Sequence, residues 1–578
     1  MPPRMCGIAV ILPGSAVRTS PFAIQRMTDA LIHRGPDAQA VVRLPGCHLG
    51  HTRLSVIDLN TGGQPMSDPT GQFTIVFNGE IYNYRSLRSE LESLGHVLRT
   101  TSDTEVLLHA CIRFGAEAPQ RLNGQFAFAF WNARDQALLA ARDRFGEKPL
   151  FWARGRHGEL LLASEIKAIL ASELIEPQID PISVDAYLGL HYVPPHRTIY
   201  ENVHTIAPAH TAEWENGRFH STRYWQPRIG ENDLDATEAV AEIARRLDTA
   251  VQRQMTADIP VGAFLSGGLD STTIVALMQR QSASPVSTFS VGFGDLINEL
   301  PFASDVARQY GTDHHELQMD IDVAENLQRM NQVYDEPFAD SSNIPTYLVA
   351  EYARQHLKVV LSGDGGDELF GGYEWYRPLL DPSADDDAFR RHLLQSTHVL
   401  ADRRQLWAMN QPESSDHLTA LYRSELRGVD AAVSFDCHCY LPGDILVKVD
   451  RAAMAHGLES RAPFLDVELA EFVLGLSAKL RFGDRRFKGL LRAAFQHLWP
   501  SSVRGRAKQG FGAPVRAWLE LPAVKESWIE AQRPDGPLNA LLPGLSQITA
   551  DLRPQRKWTM LCLAQWLESR TTCLANLP

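Results

Sequence analysis

The sequence holds no apolar run near the roughly 18 residues that a membrane-spanning helix requires. Its first apolar stretch, residues 7–12 (GIAVIL), breaks at Pro13-Gly14 and is too short for a signal-peptide core. Cysteine is sparse and unpaired in pattern. The seven positions (Cys6, Cys47, Cys111, Cys437, Cys439, Cys562 and Cys573) are odd in number and scattered, which argues against a disulfide scaffold and for a reducing compartment. No Lys/Arg-rich run is present and the net charge is −13, so nucleic acid is not expected as a main partner. A Walker loop is missing as well. Internal repeats and low-complexity tracts are also absent. What remains is an ordinary globular composition in 578 residues, enough for roughly two to four domains. The expectation is a soluble cytoplasmic protein.

Two textures divide the chain. Residues 6–215 are β-rich. Residues 73–77 (FTIVF) predict a strand closed by a turn at Asn78-Gly79. Residues 125–131 (QFAFAFW) set Phe126, Phe128 and Phe130 on one face and alanines on the other, the period of a strand. A further strand is predicted at 160–163 and helices around 24–33 and 84–94, which suggests sheets sandwiched by helices. The polar stretch 226–235 reads as a linker. Beyond it, 236–254 and 272–280 have helical spacing, with strands predicted at 261–265, 286–291 and 359–361. Strands alternating with helices indicate a parallel α/β sheet. From about 380 the chain reads as mainly helical. The expected architecture is two domains, 6–215 and 236–578, of α+β and α/β class.

Cys6 lies in Met5-Cys6-Gly7-Ile8. Methionine is readily trimmed before a small side chain, which would leave a thiol and a free α-amine on one residue, the arrangement of an N-terminal nucleophile. The α-amine titrates ordinarily at roughly 7.7–8.0, so a useful fraction is neutral and can act as base. Residues 1–5 would block this, so translation is expected to start at Met5, or these residues to be removed. Other segments supply what opening an amide needs. The Asn78 side-chain amide and the Gly79 N–H can donate to an oxyanion. Arg53 can grip an α-carboxylate bidentately, and Asp103 can take an α-ammonium. Singly, these residues read equally well as a surface cation, a hairpin turn and a helix cap. With residues 33–37 (HRGPD) and 142–146 (RDRFG) the set is far more specific.

The second half carries residues 264–271 (FLSGGLDS) between a predicted strand and a helix. Ser266, Gly267, Gly268, Asp270 and Ser271 are small or acidic, so backbone N–H groups can approach a phosphate at a helix N-terminus. A second loop, 361–368 (LSGDGGDE), follows another strand. Asp270 and Asp367 can offer Mg²⁺ hard oxygen ligands. Later segments are 441–451 (LPGDILVKVDR), 457–466 (GLESRAPFLD) and 506–511 (RAKQGF). Lys508, in the last, can neutralise charge as pyrophosphate leaves.

The first half resembles the class II glutamine amidotransferase domain, an N-terminal-nucleophile fold of stacked β-sheets between helices. The SGGLDS loop resembles the pyrophosphate loop of enzymes that cleave ATP to AMP and pyrophosphate. Taken in order over about 6–520, the segments resemble the glutamine-hydrolysing asparagine synthetase family. The resemblance implies that Cys6 forms a γ-glutamyl thioester and releases ammonia, and that Arg53, Asn78, Glu80 and Asp103 bind glutamine. It implies ATP contacts at Leu265, Val291, Ser362 and Gly363, magnesium at Asp270 and Asp367, and help with adenylation from Asp364 and Lys508. ATP and Mg²⁺ are the cofactors so implied, with glutamine and a carboxylate acceptor, aspartate, as substrates, an internal ammonia tunnel, and a homodimer.

Asp364 stands where asparagine synthetases often carry glutamate, and many bacterial relatives with this Ser-Gly-Asp loop amidate other carboxylates. An acceptor in a polysaccharide or secondary metabolite is therefore the alternative. A β-lactam-synthetase-like cyclase, a tRNA-modifying enzyme and a non-catalytic glutamine sensor fit less well, because both residue sets are complete and the chain is acidic. Cys437-His438-Cys439 reads as packing rather than zinc. Trp375 and Tyr376 read either as acceptor-pocket wall or as core.

Overall fold

The computed structural model describes residues 6–570 except 15–19, 36, 55, 59–60, 216, 293–297, 320, 381–405, 408–424, 484–485, 507–511 and 546–551. The first half is built on two antiparallel six-stranded sheets. One runs in the order Val203–Thr205, Phe151–Arg154, Leu160–Ala163, Gly7–Leu12, Cys47–Arg53, Ala38–Leu44. The other runs Arg218–Arg223, His210–Glu215, Ala137–Arg142, Gly124–Asn132, Phe73–Ile81, Met66–Ser67. Alternation along the strands makes the layers. Ala127, Ala129 and Trp131 pack with Ile8, Val10 and Leu49 of the facing sheet. Phe126, Phe128 and Phe130 turn the other way, onto Leu87, Leu91 and Val106 of the helices Tyr84–Ser93 and Asp103–Phe114. Small residues on the inner face let the sheets approach, and large ones fill the space under the helices. The helix Ala23–Asp29 covers the outer face of the first sheet through Ile24 and Met27 against Ala9 and Ile11.

The turn expected at Asn78-Gly79 is not there. The strand Phe73–Ile81 runs through it, pairing Asn78 with Ala127 and Gly79 with Phe126. Gly79 has φ +141°, and a Cβ there would stand 1.9 Å from the Gln125 carbonyl oxygen. The glycine allows a close strand approach rather than a hairpin reversal.

The second half is a parallel five-stranded sheet in the order Asp313–Gln318, Ser287–Gly292, Val261–Phe264, Val359–Leu361, Glu459–Arg461. The three middle strands are the apolar ones legible in the sequence. The two outer strands read DHHELQ and ESR. They lack an apolar run, because one is an edge strand and the other meets the first half of the molecule. Residues 226–235 are pinned against this half, with Asn232 N–H donating to Gly475 O at 2.7 Å and Ser477 N–H to Asn232 O at 2.7 Å. Beyond Gly428 the described residues are mainly helical, ending with Pro554–Ser569. No helix among the described residues is long and apolar enough to cross a membrane.

Candidate functional site

Cys6 precedes the strand Gly7–Leu12, and its Sγ lies 3.8 Å from the Leu54 carbonyl oxygen. One cavity gathers Cys6, Arg53, Gly79, Glu80 and Asp103 from four separate segments of the first half. Asp103 opens the helix Asp103–Phe114, but Ser102 is its cap, accepting from Thr104 N–H. The Asp103 carboxylate is thereby released toward the cavity side, where it accepts from Ile81 N–H at 3.1 Å. Arg53 Nη2 donates to Asp58 O at 2.6 Å. Asn78 does not line this cavity. Its side-chain amide is fully buried and makes no hydrogen bond within the protein, a state that costs stability and calls for a reason.

Burial governs the titrations here. It pushes the Cys6 thiol up to about 12, so the thiol needs a base to become a nucleophile. Burial also raises Glu80 well above the carboxylate range, with Glu459 adding to it. Asp103 is pushed up to about 6 by burial, against the pull of the Ile81 N–H.

A second cavity, of about 650 Å³, is lined by both glycine-rich loops together with Leu265 and Val291. That volume suits a nucleotide-sized ligand. The first loop ends in the helix Leu269–Gln281. Ser266 Oγ accepts from Gly268 N–H at 3.2 Å and lies 3.0 Å from Ser271 Oγ, which shapes the loop. Gly267 has φ +66°, and a Cβ there would run into Phe302 at 2.5 Å. The second loop packs on the first through glycines. A Cβ on Gly363 would meet Asp270 Cβ at 2.8 Å, and one on Gly366 would meet Asp270 Oδ1 at 2.7 Å. Ser362 Oγ donates to Asp364 Oδ2 at 2.7 Å, and burial raises the Asp364 carboxyl.

Asp270 and Asp367 come together on one cation that the sequence did not advertise. Lys488 Nζ lies 2.7 Å from Asp367 Oδ1 and also pairs with Asp270 Oδ2. Lys488 is buried and, unusually for a non-glycine residue, has φ +57°. A Cβ on Gly372 would collide with both Asp367 and Lys488 Cε, so that glycine makes room for the pair. The segment RRFKGLLRAAF around Lys488 carries no motif and no periodic signal. The predicted lysine, Lys508, lies outside the described residues. Two carboxylates already sharing a cation fit a magnesium ion that also binds substrate phosphates. Among the described residues no group of three or more His, Cys, Asp or Glu side chains is arranged to hold a metal unaided.

Trp375 lines the larger cavity beside Tyr373 and Tyr440, stacked on Tyr373 with ring centroids 4.0 Å apart. Tyr376 is core, its hydroxyl donating to Asp436 at 2.6 Å. Cys437 and Cys439 are buried, with Tyr192 Oη 3.6 Å from Cys439 Sγ.

A buried polar seam lies between the two halves. Arg34, of the HRGPD segment, donates through Nε to Cys6 O at 3.2 Å. Its other nitrogens reach Glu165 at 2.7 Å and both oxygens of Asp450 at 2.9 and 3.0 Å. Arg451 Nη1 also pairs with Glu165, at 2.7 Å. In the RDRFG segment, Asp143 accepts from Phe145, Glu147 and Lys148 N–H, a turn that sets Glu147 and Lys148 on the seam. A small cavity there is lined by Gln125, Glu147 and Lys148 from the first half and by Ser362, Asp364 and Ser460 from the second.

Comparison with known proteins agrees with this layout. A family described as asparagine synthase matches residues 242–567, and one described as glutamine amidotransferase domain matches residues 5–225. The chain is 31% identical to asparagine synthetase [glutamine-hydrolyzing] 1 of Bacillus subtilis, over 97% of this chain and 96% of that one. It is 32% identical to asparagine synthetase [glutamine-hydrolyzing] 3 of the same organism, over 90% and 88%. With asparagine synthetase B [glutamine-hydrolyzing] of Escherichia coli it shares 28% identity over 84% and 78%. A parallel-sheet domain with paired glycine loops, joined to an antiparallel sandwich with a cysteine at the head of one strand, is thus an enzyme of the glutamine-hydrolysing asparagine synthetase family, and the chain belongs to it.

Proposed function

We propose that the enzyme takes ammonia from glutamine at Cys6 and transfers it to the side-chain carboxylate of aspartate, activated by ATP, to give asparagine, AMP and pyrophosphate. The observation that carries this reading is one strand, Glu459–Arg461, shared by both workplaces. Glu459 lines the Cys6 cavity, Ser460 lines the seam cavity, and the Arg461 carbonyl accepts from Ser362 N–H of the second loop at 2.9 Å. In this reading ammonia freed at Cys6 passes along this strand to the loop that holds Asp364, away from water that would protonate it. In this reading the domains span 6–215 and 236–578, and the protein works in the cytoplasm as a homodimer.

In the first site the raised thiol of Cys6 gives its proton to its own α-amine once residues 1–5 are gone. Arg53 holds the glutamine α-carboxylate, and Glu80 and Asp103 hold its α-ammonium. The Gly79 N–H, which lines the cavity, donates to the oxyanion, and the Asn78 amide, unsatisfied one residue before it and buried beyond the cavity lining, is the second donor in this reading. In the second site the Gly267 N–H, between two N–H groups that already donate to serine hydroxyls, and the helix N-terminus receive phosphates. Leu265, Val291, Ser362 and Gly363 line the nucleotide space, and Ser271 braces the loop. Magnesium, when bound, supplies charge neutralisation between Asp270, Asp367 and the phosphates. Lys488, and Lys508 with it, carries positive charge toward the departing pyrophosphate. Asp364 assists formation of the acyl-adenylate.

A second acceptor reading is favoured by the aromatic wall of Tyr373, Trp375 and Tyr440, which offers more flat apolar surface than aspartate uses. An AMP-release assay with glutamine, ATP and Mg²⁺ across a panel of carboxylic acids separates the two. Aspartate giving the largest AMP yield, with matching asparagine, supports the first. A larger yield with an aromatic or bulkier acid replaces it. Intact-mass analysis is expected to find Cys6 as the leading residue.

A further inference from the structure

Glu459 belongs to the parallel sheet of the second domain, yet it lines the cavity of Cys6, Arg53, Glu80 and Asp103 in the first. It is 1% exposed. A carboxylate so buried is tolerable only where it is held. Its Oε1 accepts from Arg461 Nε at 2.5 Å and lies 3.4 Å from Gln125 Nε2. Arg461 is fixed in turn. Its Nη1 donates to Gln254 O at 2.7 Å and Thr256 O at 2.8 Å, and its Nη2 lies 3.6 Å from Glu80 Oε1. The strand is registered against Val359–Leu361, Glu459 opposite Val359 and Arg461 opposite Leu361. The carboxylate therefore sits on a rigid frame, with its neighbours locked, as a substrate-binding group requires.

The charge balance of the cavity points the same way. Arg53 is matched by three carboxylates, those of Glu80, Asp103 and Glu459, while Arg461 stands behind Glu459 and Glu80. An α-ammonium carries three N–H donors, and Asp103 already spends one oxygen on the Ile81 N–H. We infer that Glu459 is a glutamine-binding residue supplied by the second domain, accepting from the α-ammonium beside Asp103, and that Arg461 is the positioning residue that aims it. This rests on the reading of the Cys6 cavity as the glutamine pocket. It means that the pocket is complete only when both domains are assembled, so nitrogen is not freed by a first domain standing apart.

The test uses the full-length enzyme and two substrates, glutamine and glutaramate, which has the same amide and carboxylate but no amine. The readout is the ratio of their kcat/KM values for ammonia release. Wild type prefers glutamine. Glu459→Gln, nearly isosteric, is expected to lower that preference by about 10–100-fold, the worth of a hydrogen bond to a charged group, while glutaramate turnover stays nearly unchanged. Glu459→Asp keeps the charge but draws it back by one methylene, and is expected to fall between the two. The order wild type, Asp, Gln supports the inference, and if the Gln variant does not fold, wild type against Asp still decides. Equal preference in all folded forms overturns it, as does an equal loss of rate on both substrates, which marks a merely structural role. No ammonia from glutamine in the wild type overturns the pocket reading itself, and the inference with it.

Discussion

The two cavities differ in how many of their buried acids meet a cation directly. Around Cys6 the carboxylates crowd together and burial drives Glu80 and Asp103 upward. In the larger cavity three acids are matched to cations, Asp270 and Asp367 to Lys488 and Asp340 to Lys448 at 2.7 Å, while burial raises Asp364 and Glu368, which bond to the hydroxyls of Ser362 and Tyr373. The first site is poised for a single zwitterion that brings its own ammonium. The second is poised for an anion, with Lys488 held between Asp270 and Asp367. A buried carboxylate left without a cation is costly, and a ligand can supply the missing charge.

The largest expected effect separates the sites outright. Cys6→Ala is expected to cut glutamine hydrolysis by more than about 10³-fold, as loss of a nucleophile does. AMP formation with ammonium salts in place of glutamine should continue, and loss of both activities would show that the sites are not chemically separate. Next comes Lys488→Met. Removing one partner of a buried ion group costs about 3–5 kcal/mol, so melting temperature should fall. Pyrophosphate release should slow by about 10²-fold or more, the worth of one electrostatic stabiliser, with glutamine hydrolysis retained in the folded fraction.

Asp103 sharpens the contrast through pH. Its pKa is raised from the ordinary carboxylate value to about 6 in the folded protein. The folded state therefore favours the protonated acid, a contribution fully present below about pH 4 and lost as pH rises through about 6. Asp103→Asn should accordingly raise the melting temperature at pH 8 relative to wild type, and this advantage should vanish near pH 4. In the proposed role, Asp103 binds the α-ammonium of glutamine in its ionised form, so kcat/KM for glutamine should fall as pH drops through about 6. A profile flat from pH 5 to 7 would contradict this. The smallest effect is expected from Trp375→Leu, which should change the acceptor KM several-fold and leave the glutamine KM alone.

Much of this was legible because the chemistry is concentrated in short, low-entropy segments. SGGLDS and LSGDGGDE each announce a loop between strand and helix, and the loops lie where the strand order of a parallel sheet puts them. The alternation of Phe126, Phe128 and Phe130 with alanines gave the sandwich its layers. What sequence could not give was side-chain convergence across domains. Glu459 and Lys488 are charged residues in polar context, and neither spacing nor hydropathy marks a residue that reaches a cavity built by distant segments. Asn78-Gly79 misled for a related reason. The dipeptide favours a turn in isolation, but here the pairing with Gln125–Phe126 overrides it and the glycine serves close approach. Tertiary contacts, absent from local pattern, decided each of these.

The most direct measurement is nitrogen transfer in the processed enzyme. Glutamine labelled with ¹⁵N in its amide would be supplied with ATP, Mg²⁺ and aspartate, and product amide and AMP followed by mass spectrometry. The account predicts ¹⁵N in the product amide and one AMP for each amide formed. Label appearing only as free ammonium, with no AMP, would contradict it.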